Sequence, residues 1–225
     1  MGEWLTVGDT GHQAYLARPV GGSGPGVLVL HAWWGLTPVF TQVCDDLAAQ
    51  GYVALAPSLF AGGATADTIP EAEALRDAQD EAAVVRPVLL ASADLLRTLP
   101  GVNPLPLAVI GFSLGAYWAF YLSQARPEDV GSVVVFYGAG EGNFRETQAA
   151  YLGHFAEQDP YEDPGYVREL EQMIRDAGRE VTFHVYPGTK HWFAEPNRPE
   201  YDAPAAELAW VRTREFLAAH ASPEA

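Results

Sequence analysis

Basic residues are scarce in this chain. Of its 225 residues, 13 are Lys or Arg and 29 are Asp or Glu, which gives a formal charge of −16. Nucleic-acid binding depends on a basic surface, so that balance excludes it, and it also disfavours anionic membranes. It repels polyanionic substrates at long range, although a local arginine can override the repulsion at one site. Cysteine is scarcer still. Cys44 stands alone, so there is no intrachain disulfide framework and no cysteine-built zinc site, which fits a cytoplasmic location. Long apolar runs are also missing: those present are strand-length and broken by Gly or Pro, so no transmembrane helix is expected. The opening stretch MGEWLTVGDTGHQ has no basic region and no apolar core, and does not read as a secretory signal. Its Gly2 and Thr6 meet a myristoylation pattern without the basic support such a signal needs.

Hydrophobic residues, in contrast, make up 48% of the chain and aromatic residues 12%, enough for one sizeable core. A single domain over residues 1–225 is therefore expected. WLTV and HQAYLARP flank the turn GDTG and read as an edge hairpin. VLVLHA (27–32), YVALAPSLF (52–60), LAVIGFS (107–113) and GSVVVFYGAG (131–140) read as strands, the first and third as runs buried on both faces of a parallel sheet. AAYLGHFAEQDP (149–160) and EVTFHVYPG (180–188) supply two more. Helical patterns separate them: 38–50, most of 66–101, 114 to about 127, 164–178 and 203–221. Pro87 lies inside the second of these and divides or kinks it. Strands alternating with helices imply an α/β fold with a mostly parallel sheet. Residues 61–75 read as an excursion over the sheet edge, a place where a lid could form.

GFSLG (111–115) places Ser113 at a G-x-S-x-G turn between a buried strand and a helix. Such a nucleophile elbow holds the serine Oγ above the sheet, and its glycines let strand and helix pass close together. A serine needs a base to take its proton. His12 and His220 suit the surface, and His154 and His184 fall inside strands, whereas His191 follows the last strand in a glycine-containing loop. Loops at the carboxyl ends of parallel strands are where such sheets build sites. Asp159, just after the fifth core strand, is the expected acid, with Glu157 and Asp163 as nearby competitors. The order Ser113, Asp159, His191 is that of the α/β-hydrolases. The oxyanion hole is expected from the backbone N–H of Leu114 and from one in HAWWG, with Trp33 the first choice. Trp34 and Trp192 are further candidates for the substrate pocket.

With these residues in view, the chain resembles the dienelactone hydrolase family of α/β-hydrolases over nearly its whole length. HAWWGL, GYVALAPSLF, GFSLGAYWAF, AEQDP and GTKHWFA carry the likeness. The resemblance implies an α/β-hydrolase fold with minimal or no cap domain, a Ser/Cys–His–Asp triad, ester or lactone hydrolysis and no cofactor or metal. Three positions depart from the family. Ser113 stands where the namesake enzymes usually carry cysteine. Ala32 stands where they carry a glutamate that manages the cysteine's protonation, which a serine does not need. Glu195 stands near the point where an arginine that holds a substrate carboxylate is expected, leaving Arg76 as a weak match to another such arginine. An uncharged ester with an apolar acyl or aryl group is therefore the expected substrate, and a lactone the next. The same triad would also serve a thioesterase or peptidase, and the fold also suits a non-catalytic ligand-binding protein. The oligomeric state, monomer or dimer, is left open by the sequence.

Overall fold

The computed structural model describes residues 2–220 and divides the chain into two compact units, Met1–Leu107 and Ala108–Ala225. Strands and helices alternate through both in an α/β fold.

In the first unit, β1 (Glu3–Thr6) and β2 (Gln13–Ala17) form the expected antiparallel hairpin. β2 then pairs antiparallel with β4 (Val53–Pro57), and β4 pairs parallel with β3 (Gly26–Leu30), in the order β1-β2-β4-β3. Every residue of β3 and β4 is buried, as their unbroken apolar sequences require of strands covered on both faces. Helix α1 (Pro38–Ala49) opens on a proline, where no N–H is needed, and stops before Gly51 at φ 98°. The helical stretch around Pro87 is divided. It comprises α2 (Ile69–Asp77), a single wide turn over Glu81–Val85 capped by Asp80, and α3 (Arg86–Thr98), with Pro87 in the first turn of α3. A proline there forfeits no hydrogen bond of the helix it opens. The 61–75 segment is tied back within this unit: Ala66 N–H donates to Trp34 O at 3.0 Å, and the backbone of Ala64 lies where a side chain on Gly35 would go.

His12 corrects the surface expectation. It is buried, with Nδ1 2.8 Å from Ser58 O, because β2 pairs with β4 and the chain leaving the end of β4 at Ser58 runs beside the hairpin's turn. His220 is half-exposed, at the end of the last helix.

In the second unit the strand order is β5 (Leu107–Phe112), β6 (Val130–Phe136), β7 (Ala150–Gln158), β8 (Val181–Lys190). β6–β7 and β7–β8 are parallel. Helix α4 (Leu114–Ala125) follows β5 directly, and α5 (Pro164–Asp176) runs from its Asp163 cap to Gly178 at φ 78°. The last helix, α6 (Ala203–His220), matches the expected one except for residue 221, which lies outside the described residues. Phe112, Phe136 and Trp210 stack between β5, β6 and α6. His154 is buried beside them, bridging Tyr186 Oη at 2.8 Å and Thr213 Oγ1 at 3.0 Å. Among the described residues no helix is long and apolar enough to cross a membrane.

Candidate active site

Ser113 is the single residue between the end of β5 and the start of α4, and its backbone is forced to φ 51°, ψ −114°. Few L-residues adopt that region, and such strain persists only where the surroundings impose it. Here they do. A Cβ on Gly111 would lie 2.3 Å from Gly115 O, and one on Gly138 would lie 2.5 Å from Ser113 O and 2.6 Å from the Ala116 side chain. Ser113 N–H donates to Phe136 O at 2.9 Å, pinning the turn to the end of β6. The Leu114 N–H is the first of the helix and has no intrahelical acceptor, so it points outward at the positive end of α4.

The parallel pairing of β7 with β8 brings the other two groups together. Register runs evenly to Ala156↔Tyr186 and then jumps to Gln158↔Lys190, so that β8 spends four residues where β7 spends two. Glu157 holds the bulge by accepting the Gly188 N–H at 2.8 Å. Past the paired ends come Asp159 and His191, side by side. His191 Nδ1 lies 2.7 Å from Asp159 Oδ2 and 2.9 Å from Oδ1, and its Nε2 lies 2.8 Å from Ser113 Oγ. The Asp159 and His191 side chains are each 3% exposed, so their contact lies in a largely water-free setting. Asp159 Oδ1 also accepts the N–H groups of Tyr161 at 2.9 Å and Glu162 at 3.2 Å. Of the competing acids, Glu157 is committed to Gly188 and Asp163 to the α5 cap. The arrangement can withdraw a proton from Ser113, hold it on a fixed imidazole and return it.

Three aromatic rings surround that imidazole: Tyr137 at 5.1 Å, Tyr161 at 4.9 Å and Trp192 at 4.9 Å between centroids. Trp192 is thus brought to the site. Ser113, Leu114, Asp159, His191 and Trp192 assemble in the second unit, while Trp33, Trp34 and Arg76 assemble in the first. There, the two indoles meet edge to face at 5.5 Å, and Arg76 lies 5.9 Å over Trp33 while pairing with Asp77 at 2.8 Å. His31, just before them, is wholly buried, with Nδ1 2.6 Å from Ala32 O and Nε2 accepting the Leu59 N–H. Burial lowers its pKa to about 4, and the Leu59 bond puts its one proton on Nδ1.

Sequence reasoning missed Tyr137, Tyr161 and Glu162, and left Glu195 without a place. Tyr137 had a usable signal, since FYGAG ends a buried strand, where sites form. Glu162 had none. Its carboxyl is raised to about 7 by burial, against the Ala139 N–H that it accepts and with the Asp159 charge adding to the rise. Glu195 is 1% exposed and accepts the Tyr137 hydroxyl at 2.9 Å. Burial raises its carboxyl to about 8, opposed by the Tyr137 bond and by Arg198. Among the described residues, no group of three or more His, Cys, Asp or Glu side chains is placed to hold a metal ion.

Residues 12–221 match the family model described as the dienelactone hydrolase family. A protein of Azospirillum brasilense described as a "Putative carboxymethylenebutenolidase" is 31% identical, over 96% of this chain and 97% of its own. Protein usf of Aquifex pyrophilus is 30% identical, over 91% and 92% respectively. Among solved structures, a dienelactone hydrolase-like promiscuous phosphotriesterase from metagenomic libraries superposes with a TM-score of 0.86. It covers 99% of this chain and 98% of its own at 21% identity, a likeness of fold.

Proposed function

Because the chain belongs to the dienelactone hydrolase family and is therefore a hydrolase, we propose that it cleaves a carboxylic ester or lactone through an acyl-enzyme intermediate on Ser113. The observation that carries this reading is the unbroken relay from Asp159 through His191 to Ser113 Oγ, with contacts of 2.7 and 2.8 Å. Ser113 Oγ attacks the acyl carbon as its proton passes to His191 Nε2, and the carbonyl oxygen becomes an oxyanion that the Leu114 N–H receives. Asp159 holds the proton of His191 on Nδ1, so that Nε2 is free to accept, and it stabilises the imidazolium that forms. Collapse of the tetrahedral species breaks the bond to the leaving oxygen, which takes the proton from Nε2. A water then attacks the acyl carbon, His191 removes its proton, and Ser113 is released with the acid. In a lactone the leaving oxygen stays tethered to the acyl group, and the product is one hydroxy acid.

The substrate class rests on two supports. The relative described as a carboxymethylenebutenolidase favours a lactone, and the aromatic rings of Tyr161 and Trp192 beside His191 suit an apolar acyl or aryl group. The test is labelling with a fluorophosphonate probe followed by peptide mass spectrometry, with a panel of nitrophenyl esters and lactones assayed in parallel. Label is expected on Ser113 and is lost in His191→Ala, and Ser113→Ala lowers turnover by at least about 10⁴-fold. A Ser113→Ala protein that keeps most of the wild-type turnover would refute the reading.

A further inference from the structure

Three non-glycine residues among those described have φ in the left-handed region: Ser113 at 51°, Tyr137 at 38° and Trp192 at 67°. All three lie at the site. Strain of this kind holds only where surrounding bonds over-determine it. Ser113 is held by the glycines around the elbow, and Tyr137 and Trp192 are held in the two segments that flank it. What they share is Glu195. Trp192 lies in the tight turn that carries His191, closed by Phe193 N–H to Lys190 O at 3.1 Å and Glu195 N–H to Trp192 O at 2.9 Å. Tyr137 is the first residue past β6, with its N–H on His154 O at 2.7 Å, and the next residue, Gly138, rests against the Ser113 backbone. The Tyr137 hydroxyl donates to Glu195 Oε1 at 2.9 Å in a fully buried setting, so the two strained segments are joined.

We propose that Tyr137 and Glu195 are positioning residues for His191: their buried hydrogen bond fastens the histidine's turn to the strand end beneath Ser113 and so fixes the reach of Nε2 to Oγ. The proposal rests on the reading of Ser113, His191 and Asp159 as the reacting groups. A closed circuit of contacts runs from Ser113 to Gly138, Tyr137, Glu195, the 190–195 turn, His191 and back to Ser113. The Tyr137 ring, 5.1 Å from the imidazole, forms one wall of the space in which that imidazole can turn. Glu195 therefore does the opposite of what an exposed acid just past the histidine would do. It faces inward, toward the base's own support, with Arg198 and Glu200 as the other charged groups that it senses.

The test compares Tyr137→Phe, Glu195→Ala and Glu195→Gln with the wild type. The readouts are hydrolysis of 4-nitrophenyl acetate and the rate of Ser113 phosphonylation by a fluorophosphonate, each variant first shown to be folded by circular dichroism. In Tyr137→Phe and Glu195→Ala, kcat and the labelling rate are expected to fall about tenfold or more. KM is expected to move by less than about twofold, as for a group that acts on the reacting centre and not on ground-state binding. Glu195→Gln keeps an acceptor for the tyrosine and recovers most of the loss. The far-downfield proton signal of His191 Nδ1–H broadens in the first two variants and persists in the third. Wild-type rates in folded Tyr137→Phe overturn the proposal, as does an equal loss in the Gln and Ala variants. Should Glu195→Ala fail to fold, Tyr137→Phe, which removes one oxygen atom, still decides. A Ser113→Ala control that hydrolyses the ester at the wild-type rate overturns the reading of the site itself, a result distinct from either of these.

Discussion

The carboxylate of Asp159 has its two oxygens assigned to different tasks. Oδ1 accepts the backbone N–H groups of Tyr161 and Glu162, while Oδ2 makes the shorter contact, 2.7 Å, to His191 Nδ1. An asparagine in its place would keep its oxygen toward the two backbone donors and turn its NH2 toward Nδ1. The imidazole would then have to carry its proton on Nε2, where it cannot accept one from Ser113. Asp159→Asn is therefore expected to lower kcat by about 10⁴-fold while leaving the melting temperature nearly unchanged; a loss below about tenfold in steady-state assays would contradict the assignment of Asp159 as the orienting acid. At this scale the sequence was informative where chemistry dictates residue type. Ser113, Asp159 and His191 follow from elbow, order and position at strand ends. It was silent on Glu162, because nothing local marks a side chain whose surroundings are set by what packs against it, whereas Tyr137 was legible only as the end of a buried strand and Glu195 only as a departure from the family. It misled at His12, whose burial comes from a pairing with a strand some forty residues on.

Among elements, the close approach of β6 to the start of α4 depends on an absent side chain. A methyl on Gly138 would press at 2.5 Å on Ser113 O and at 2.6 Å on the Ala116 side chain, both part of rigid backbone geometry. Gly138→Ala is expected to cost about 1–3 kcal/mol in urea denaturation and to lower kcat more than it raises KM, since relief can come only by moving the elbow. A variant with unchanged denaturation midpoint and unchanged kcat would show that the packing is looser than described. Elements were also the most legible level of the sequence. Among the described residues, the eight strands and the helices between them fall where the apolar runs and the Pro and Gly punctuation put them. The boundaries that differ do so for tertiary reasons: β8 continues through Pro187 and Gly188 to Lys190 because β7 offers it partners beyond the bulge.

For the whole molecule, four titrating groups shifted by burial oppose one another. Glu162 and Glu195 keep their protons in the folded chain to about pH 7 and 8, while the unfolded chain releases them near 4.5. Each therefore subtracts stability as pH rises through that interval. His31, lowered to about 4 by burial, and His154, lowered well below its ordinary value by burial and by the neighbouring His184 and Arg212, stay neutral when folded. The unfolded chain protonates both near 6.5, so they subtract stability as pH falls. Between about 4.5 and 6.5 the two pairs offset each other. The melting temperature is expected to be flat across that range, to fall toward pH 8 and to fall again below it. A melting temperature that still climbs from pH 6.5 to 8 in a calorimetric series would contradict this, and the −16 charge, which grows as the last protons leave, only steepens the alkaline decline.

The two surplus residues of β8 give the relay a dependence on chain length that no single side chain reveals. They act as a spacer in the thread of the chain: each pair of residues inserted or removed between Tyr186 and Lys190 would shift the imidazole along the strand by about 7 Å, far beyond reach of the carboxylate. Lengthening or shortening the loop between α5 and β8 leaves the register of the paired ends untouched. The tolerance of this protein to insertions and deletions is thus expected to be sharply uneven over a short distance, with a permissive stretch ending before Val181 and an intolerant one running from there to His191.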